Sequence, residues 1–257
     1  MIKPLLLAAA ASAAAVISLA TVPALAQQDL SRPGSAFEGK GKPGSWQSVI
    51  VRTARGHLIG NPEADTRLIE FISYTCPHCS DFTAQGEPAL ELTLLTPGKM
   101  AVEVRPVIRN ALDLTVTLLA QCGDPAGFKR RHQALMRTQA DWLGKARAAP
   151  ESQRAIWLRG DKAGRMNAAS ALGLTMMLVK RGQSQSELDT CVVNDVAAKA
   201  LVDNTRADFD EIGLQGTPSF ALDGKLLNAV HSWDTLYPVL SAKFTEQPAE
   251  TLGASGG

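Results

Sequence analysis

The chain has 257 residues, 45% of them hydrophobic and 20% charged, with 26 Lys+Arg against 25 Asp+Glu. So even a balance leaves no electrostatic footprint for nucleic acid, and none is expected as a partner. The length suits one domain, with room for an inserted subdomain, and is ample for a hydrophobic core.

Met1-Ile2-Lys3 gives a short positive start, Leu5 to Ala20 an apolar run, and Pro23 a break before Ala24-Leu25-Ala26. This is the layout of a secretory signal peptide (residues 1–26) cleaved after Ala26. An uncleaved membrane anchor is the alternative, but the run is diluted with Ala and short for a bilayer span. Gln27 to Gln47, with Pro33, Gly34, Gly39, Gly41, Pro43 and Gly44, reads as a flexible linker, and residues 246–257 as a flexible tail.

The ordered domain is expected over residues 48–245. Val49-Ile50-Val51 reads as a first strand and Gly60-Asn61-Pro62-Glu63 as a turn. Arg67 to Tyr74 is a mostly apolar run of strand length, as in a strand buried on both faces. Phe82 to Leu95 has helical composition, but Gly86 and Pro88 predict a kink or two short helices. Met100 to Ile108 alternates as a strand does. A helical insertion is expected over about residues 111–198, followed by a long helix from Lys199 to Ile212. Asp223-Gly224 between two apolar triplets predicts a hairpin, and Asp234 a possible N-cap of a closing helix ending at Phe244. The order is that of an α/β, thioredoxin-like fold with an inserted helical subdomain.

Cys76-Pro77-His78-Cys79 follows the central strand directly and opens a helix. The spacing lets two sulfurs bridge across one helical turn. The first sulfur meets the unpaired N–H groups and positive dipole end of that turn, which favour a thiolate. Cys76 is therefore expected to be the exposed, acidic nucleophile and Cys79 the buried resolving thiol. Pro77 suits the first helical position, and His78 can add charge near the Cys76 sulfur. A structural disulfide or a zinc site are the alternatives. Zinc wants about four ligands, and His57, His132 and His231 are scattered singly, as ordinary surface or core residues are. No metal and no cofactor beyond the cysteine pair are expected.

Glu70 to Cys79 (EFISYTCPHC), the Gly60–Ala64 turn and Gly213 to Phe220 (GLQGTPSF) together resemble bacterial DsbA-like thiol–disulfide oxidoreductases. The resemblance runs from about Gly60 to Leu240. It implies that Glu70 is the buried acid that helps move the proton of the buried thiol. It also implies that Pro218 is cis, facing the cysteine pair and presenting Thr217's backbone to an extended substrate. With the signal peptide it implies a periplasmic, monomeric protein disulfide oxidase. Its partners would be unfolded exported proteins and a membrane redox partner that reoxidises it. A disulfide isomerase or reductase kept reduced by a membrane partner is the main alternative, although residues 27–47 are too short for the N-terminal dimerisation region of such relatives. Cu(I) binding through Cys76 and Cys79, with His78 as a further ligand, is an alternative from another class, with no Met/His-rich tract to support it.

Of the four cysteines, the motif leaves Cys122 and Cys191 as partners, which predicts a second disulfide stapling the insertion. Two separately buried cysteines are the alternative.

Overall fold

The computed structural model describes residues 45–245. The expected signal peptide, the linker as far as Gly44 and the tail lie outside the described residues. Those described fall within one compact unit, Ala36–Gly257. The last part of the expected linker is a short 3-10 turn, Trp46–Ser48. Strands β1 (Ile50–Arg52), β2 (His57–Gly60), β3 (Thr66–Ile72), β4 (Met100–Pro106), β5 (Ser219–Leu222) and β6 (Lys225–Leu226) form one sheet in the order β1-β2-β4-β3-β5-β6. Only β3 and β4 are parallel; β5 runs antiparallel to β3 on its other side. β2 was not evident in the sequence, because His57-Leu58-Ile59-Gly60 runs into a glycine at φ +111° and carries no alternation. A Cβ at Gly60 would come 2.7 Å from the Met100 carbonyl oxygen.

β3 is the strand the sequence pointed to. Leu68, Glu70, Phe71 and Ile72 are at most 1% exposed. Alternation sends Leu68, Glu70 and Ile72 to one face and Ile69 and Phe71 to the other. Leu68 and Ile72 join the main core, whereas Ile69 and Phe71 join a smaller cluster with Val107, Leu214 and Ala221. Glu70 is thus a carboxyl group on the main-core face.

Helix α1 (Pro77–Leu90) runs through Gly86 and Pro88 as one helix and not as two short ones. Gly86 is explained by packing, since a Cβ there would lie 2.5 Å from the Phe82 ring. Pro88 removes one N–H, and the chain then widens into a π-helical stretch, Glu91–Leu95, with a Thr96 N–H to Glu91 O bond of 2.8 Å. Seven helices make the insertion: α2 (Ala111–Ala120), α3 (Phe128–Arg137), α4 (Gln139–Ala148), α5 (Glu151–Leu158), α6 (Lys162–Ala171), α7 (Leu174–Val179) and α8 (Gln185–Val192). Asn110, Asp161 and Ser184 cap α2, α6 and α8 with their side chains. α9 (Asp195–Ile212) starts four residues before the expected Lys199, because Asn194 caps it. It ends at Gly213 in the left-handed conformation. Asp208 of α9 takes Arg105 of β4 (3.1 Å) and Arg55 (2.7 Å), and Arg105 also pairs with Glu103. These buried charges are mutually paired, as such groups must be to stay ionised.

The closing helix α10 (Trp233–Thr245) is capped by Ser232 and not by Asp234. The Thr235 amide donates to Ser232 Oγ at 3.3 Å, which places Asp234 inside the first turn. Cys122 and Cys191 are bonded to one another, joining the loop after α2 to α8 across 69 positions.

Closing a loop of that length is worth about 4 kcal/mol in the chain-entropy model. Cys122→Ala with Cys191→Ala should therefore lower the melting temperature by about 10 °C. Thermal scans check this, and thiol–disulfide exchange at Cys76–Cys79 should remain.

Candidate active site

The strand β3 ends at Ile72, and three residues later the chain turns into α1. Cys76 is the N-cap residue, extended at φ −95°, ψ 116°, and Pro77 occupies the first turn, where its missing N–H costs nothing. Both cysteines are in the thiol state. The Cys79 sulfur, fully buried, accepts from the Ser73 amide at 3.4 Å.

Cys76 is only 4% exposed, where the sequence suggested an open nucleophile. The reason is the loop before β5. The Thr217–Pro218 peptide is cis, and the Cys76 thiol donates to the Thr217 carbonyl at 3.1 Å. Pro218 is held in turn, since its carbonyl lies 2.8 Å from His231 Nδ1.

The Cys76 thiol is lowered to about 5. The largest contribution is the hydrogen bond from the Cys79 side chain. Burial opposes it, while the Thr217 side chain, the Cys79 amide and the Arg109 charge add to it. Burial is what pushes Cys79 far up, reinforced by the same hydrogen bond to Cys76. The two thiols are thus driven apart, one towards thiolate and one towards thiol. His78 stands on the surface, 79% exposed, with Nδ1 3.8 Å from Asp81. The cation acting on Cys76 is Arg109, which no motif announced.

Glu70 is completely buried and neither carboxyl oxygen has a hydrogen-bond partner among the described residues. Burial, then the charge of Glu87, raise it well above the carboxylate range. Glu87 of α1 is the opposite case. Burial pushes it up, but His132, Thr83 and Gln133 more than offset this and hold it low. Its Oε1 lies 2.7 Å from His132 Nε2, and His132 Nδ1 lies 3.0 Å from the Tyr74 hydroxyl. A cavity of about 20 Å³, large enough for one water, touches Glu70 and Glu87 and reaches Lys129 and Glu91, themselves paired at 2.7 Å. His132, read from sequence as an ordinary residue, is a core residue within this network.

The sequence also missed Asp113 and Gln139. Asp113, in the first turn of α2, is fully buried. Its Oδ1 accepts from Ser73 Oγ (2.8 Å) and the Thr75 amide (2.9 Å), its Oδ2 from Thr75 Oγ1 (3.0 Å) and the Arg109 amide (3.1 Å). Gln139 Nε2 donates to the carbonyls of Tyr74 (2.8 Å) and Cys76 (2.9 Å). The insertion thereby grips the Ser73–Cys76 turn from two helices. No local signal could find these residues, because their partners lie about 40 and 65 positions away in sequence. Cys122 and Cys191 are remote from this constellation and belong to the insertion.

An acidic thiol at a helix start, a buried partner thiol and a cis-proline loop across them define the class. This is a thioredoxin-like protein with a helical insertion. A family model described as thioredoxin matches residues 52–242, and the chain belongs to that family. A solved structure titled protein-disulfide isomerase, from Novosphingobium aromaticivorans, is 40% identical. It aligns over 76% of this chain and all of that one, with a TM-score of 0.72. Alpha-DsbA1 of Wolbachia pipientis shares the fold at 17% identity, with a TM-score of 0.59 over 73% of this chain and 90% of that one. A protein of Rickettsia conorii named "Putative protein-disulfide oxidoreductase" is 27% identical over 191 residues, 74% of this chain. The chain spans 61% of that relative's length and 54% of the Rickettsia typhi counterpart's.

Replacing Asp113 by Ala would strand four donors, three at the turn before Cys76 and the Arg109 amide before α2. The expected loss is about 1–3 kcal/mol of stability. Urea denaturation checks it, and Asp113→Asn, which keeps one acceptor oxygen, should lose less.

Proposed function

We propose that the protein is a thiol–disulfide oxidoreductase acting as an oxidase, passing the Cys76–Cys79 disulfide to unfolded exported proteins in the periplasm. The observation that carries this is the pair of opposed thiols. A Cys76 thiol lowered to about 5 makes the reduced form the favoured one, so its disulfide is readily given away.

In the forward step a substrate thiolate attacks the Cys76 sulfur. The Cys76–Cys79 bond breaks, and its electron pair leaves on the Cys79 sulfur. Cys79, whose thiol is strongly favoured by burial, takes up a proton. Glu70 is the donor, because burial favours its protonated form and, once ionised, it lies near enough to Cys79 to favour the thiol there. It regains a proton through the water-sized cavity shared with Glu87. A second substrate thiolate then attacks the substrate sulfur of the mixed disulfide and releases Cys76 as a thiolate. The substrate leaves oxidised and the protein reduced, and a membrane redox partner restores the disulfide. An incoming extended chain displaces the Thr217 carbonyl from the Cys76 sulfur and pairs with that backbone, as strand-edge recognition requires.

A second reading, a disulfide isomerase or reductase, is favoured by the likeness to the Novosphingobium protein-disulfide isomerase. The same thiolate would then attack substrate disulfides, with the protein kept reduced.

With Cys79→Ser, a mixed disulfide with a reduced, unfolded substrate should accumulate on Cys76 in the presence of a small-molecule oxidant. Equal trapping by Cys76→Ser would overturn the assignment, as read by non-reducing gel electrophoresis.

The reduced form should melt above the oxidised form, with a stated pH dependence. Folded Cys76 loses its proton near pH 5, whereas an unfolded thiol holds it to about 9. The contribution to the reduced form's stability is therefore absent below pH 5, grows between 5 and 9, and is complete above 9. Paired melting curves across that range check it. An oxidised form that melts higher throughout would favour the isomerase or reductase reading.

A further inference from the structure

A groove of about 420 Å³ lies between α3 and the turn after α7, apart from Cys76 and Cys79. Arg130, Arg131, Arg137 and Arg181 line it, and no carboxylate does. Among the described residues none of the four is in an ion pair, whereas Arg55, Arg105, Arg159 and Arg165 each have at least one. In a chain of nearly zero net charge this is a local concentration of unneutralised cations.

The groove is built by the fold. Arg130 and Arg137 stand seven residues apart on one face of α3, with a small residue, Ala134, between them as floor. Arg131, 4% exposed, lies at the closed end. Its Nε donates to the Ala120 carbonyl (2.8 Å) and Nη2 to the Asp124 carbonyl (3.0 Å), which fixes the guanidinium. Its Nη1 has only a 3.4 Å contact with Gln183 Oε1. Gly127 makes room, since a Cβ there would lie 2.4 Å from that nitrogen. Gln183 Nε2 is a buried donor without a partner among the described residues. From the opposite wall Arg181 is anchored through Nη1 to the Met177 carbonyl at 2.9 Å. Asp124 and Glu187 act on the Arg131 charge but do not line the groove.

Four guanidinium groups gathered in one concavity repel one another and raise the local potential, and a bound anion relieves both. Their planar forks match carboxylate and phosphate oxygens in pairs, and the volume is that of a small-molecule site. We propose that this groove is a binding site for a small polyanion carrying two or more phosphate or carboxylate groups. It is held chiefly by Arg130, Arg137 and Arg181, with Arg131 and Gln183 at the closed end.

The test is calorimetric titration of inorganic pyrophosphate into the purified chain, with citrate as the polycarboxylate probe and an oligoglutamate peptide as a macromolecular comparison. One saturable site is expected for pyrophosphate, weakened about tenfold or more in Arg130→Ala/Arg137→Ala. Citrate should compete for it. Both residues carry their side chains at the surface, so the double variant should keep its melting temperature and its thiol–disulfide exchange. Loss of anion binding is thereby separated from any failure of the redox reading. No saturable binding at millimolar pyrophosphate, equal binding by the double variant, or binding of the peptide alone would each overturn the proposal.

Discussion

The structure around the motif is organised by one electrostatic constraint, a negative sulfur wanted at the first turn of α1. A thiolate there needs donors and positive potential on one side and must not be swamped by nearby carboxylates on the other. Cys79, its amide and Arg109 meet the first need. The second is met by keeping Glu70 protonated and tying Glu87 to His132. Burial pushes both thiols up, and only at Cys76 do the surrounding groups more than offset it. Buried without them, Cys79 remains a thiol.

The inserted helices serve the same constraint. The Ser73–Cys76 turn has few partners of its own on the sheet. Asp113 of α2 and Gln139 of α4 supply them, so the position of Cys76 is set by helices that lie far along the chain. The Cys122–Cys191 bond ties α2 to α8 and so steadies the element that carries Asp113. The cis-proline loop, braced by His231, closes the site from the opposite side.

How far the sequence revealed this depended on whether the determinant was local. Cys76, Pro77 and Cys79 could be placed at a helix start because a strand-length apolar run immediately precedes them. The long insertion and the Asp223-Gly224 hairpin were legible for the same kind of reason. β2 was not, since it is short and ends in a glycine. That α1 is one helix was harder to read, because Gly86 serves the Phe82 ring. At the site, Asp113, Arg109, Glu87, His132 and Gln139 each act through partners distant in sequence, and no spacing rule reports such pairs. Exposure was misjudged at Cys76 because the covering Thr217 carbonyl arrives from a loop 141 residues downstream.

The central claim is that the Cys76 thiolate stabilises the reduced form enough to make the disulfide an oxidant. The most direct measurement is the reduction potential of the Cys76–Cys79 pair, equilibrated against glutathione at pH 7. A value close to the roughly −120 mV of DsbA is predicted, and one near the roughly −270 mV of thioredoxin would contradict the claim.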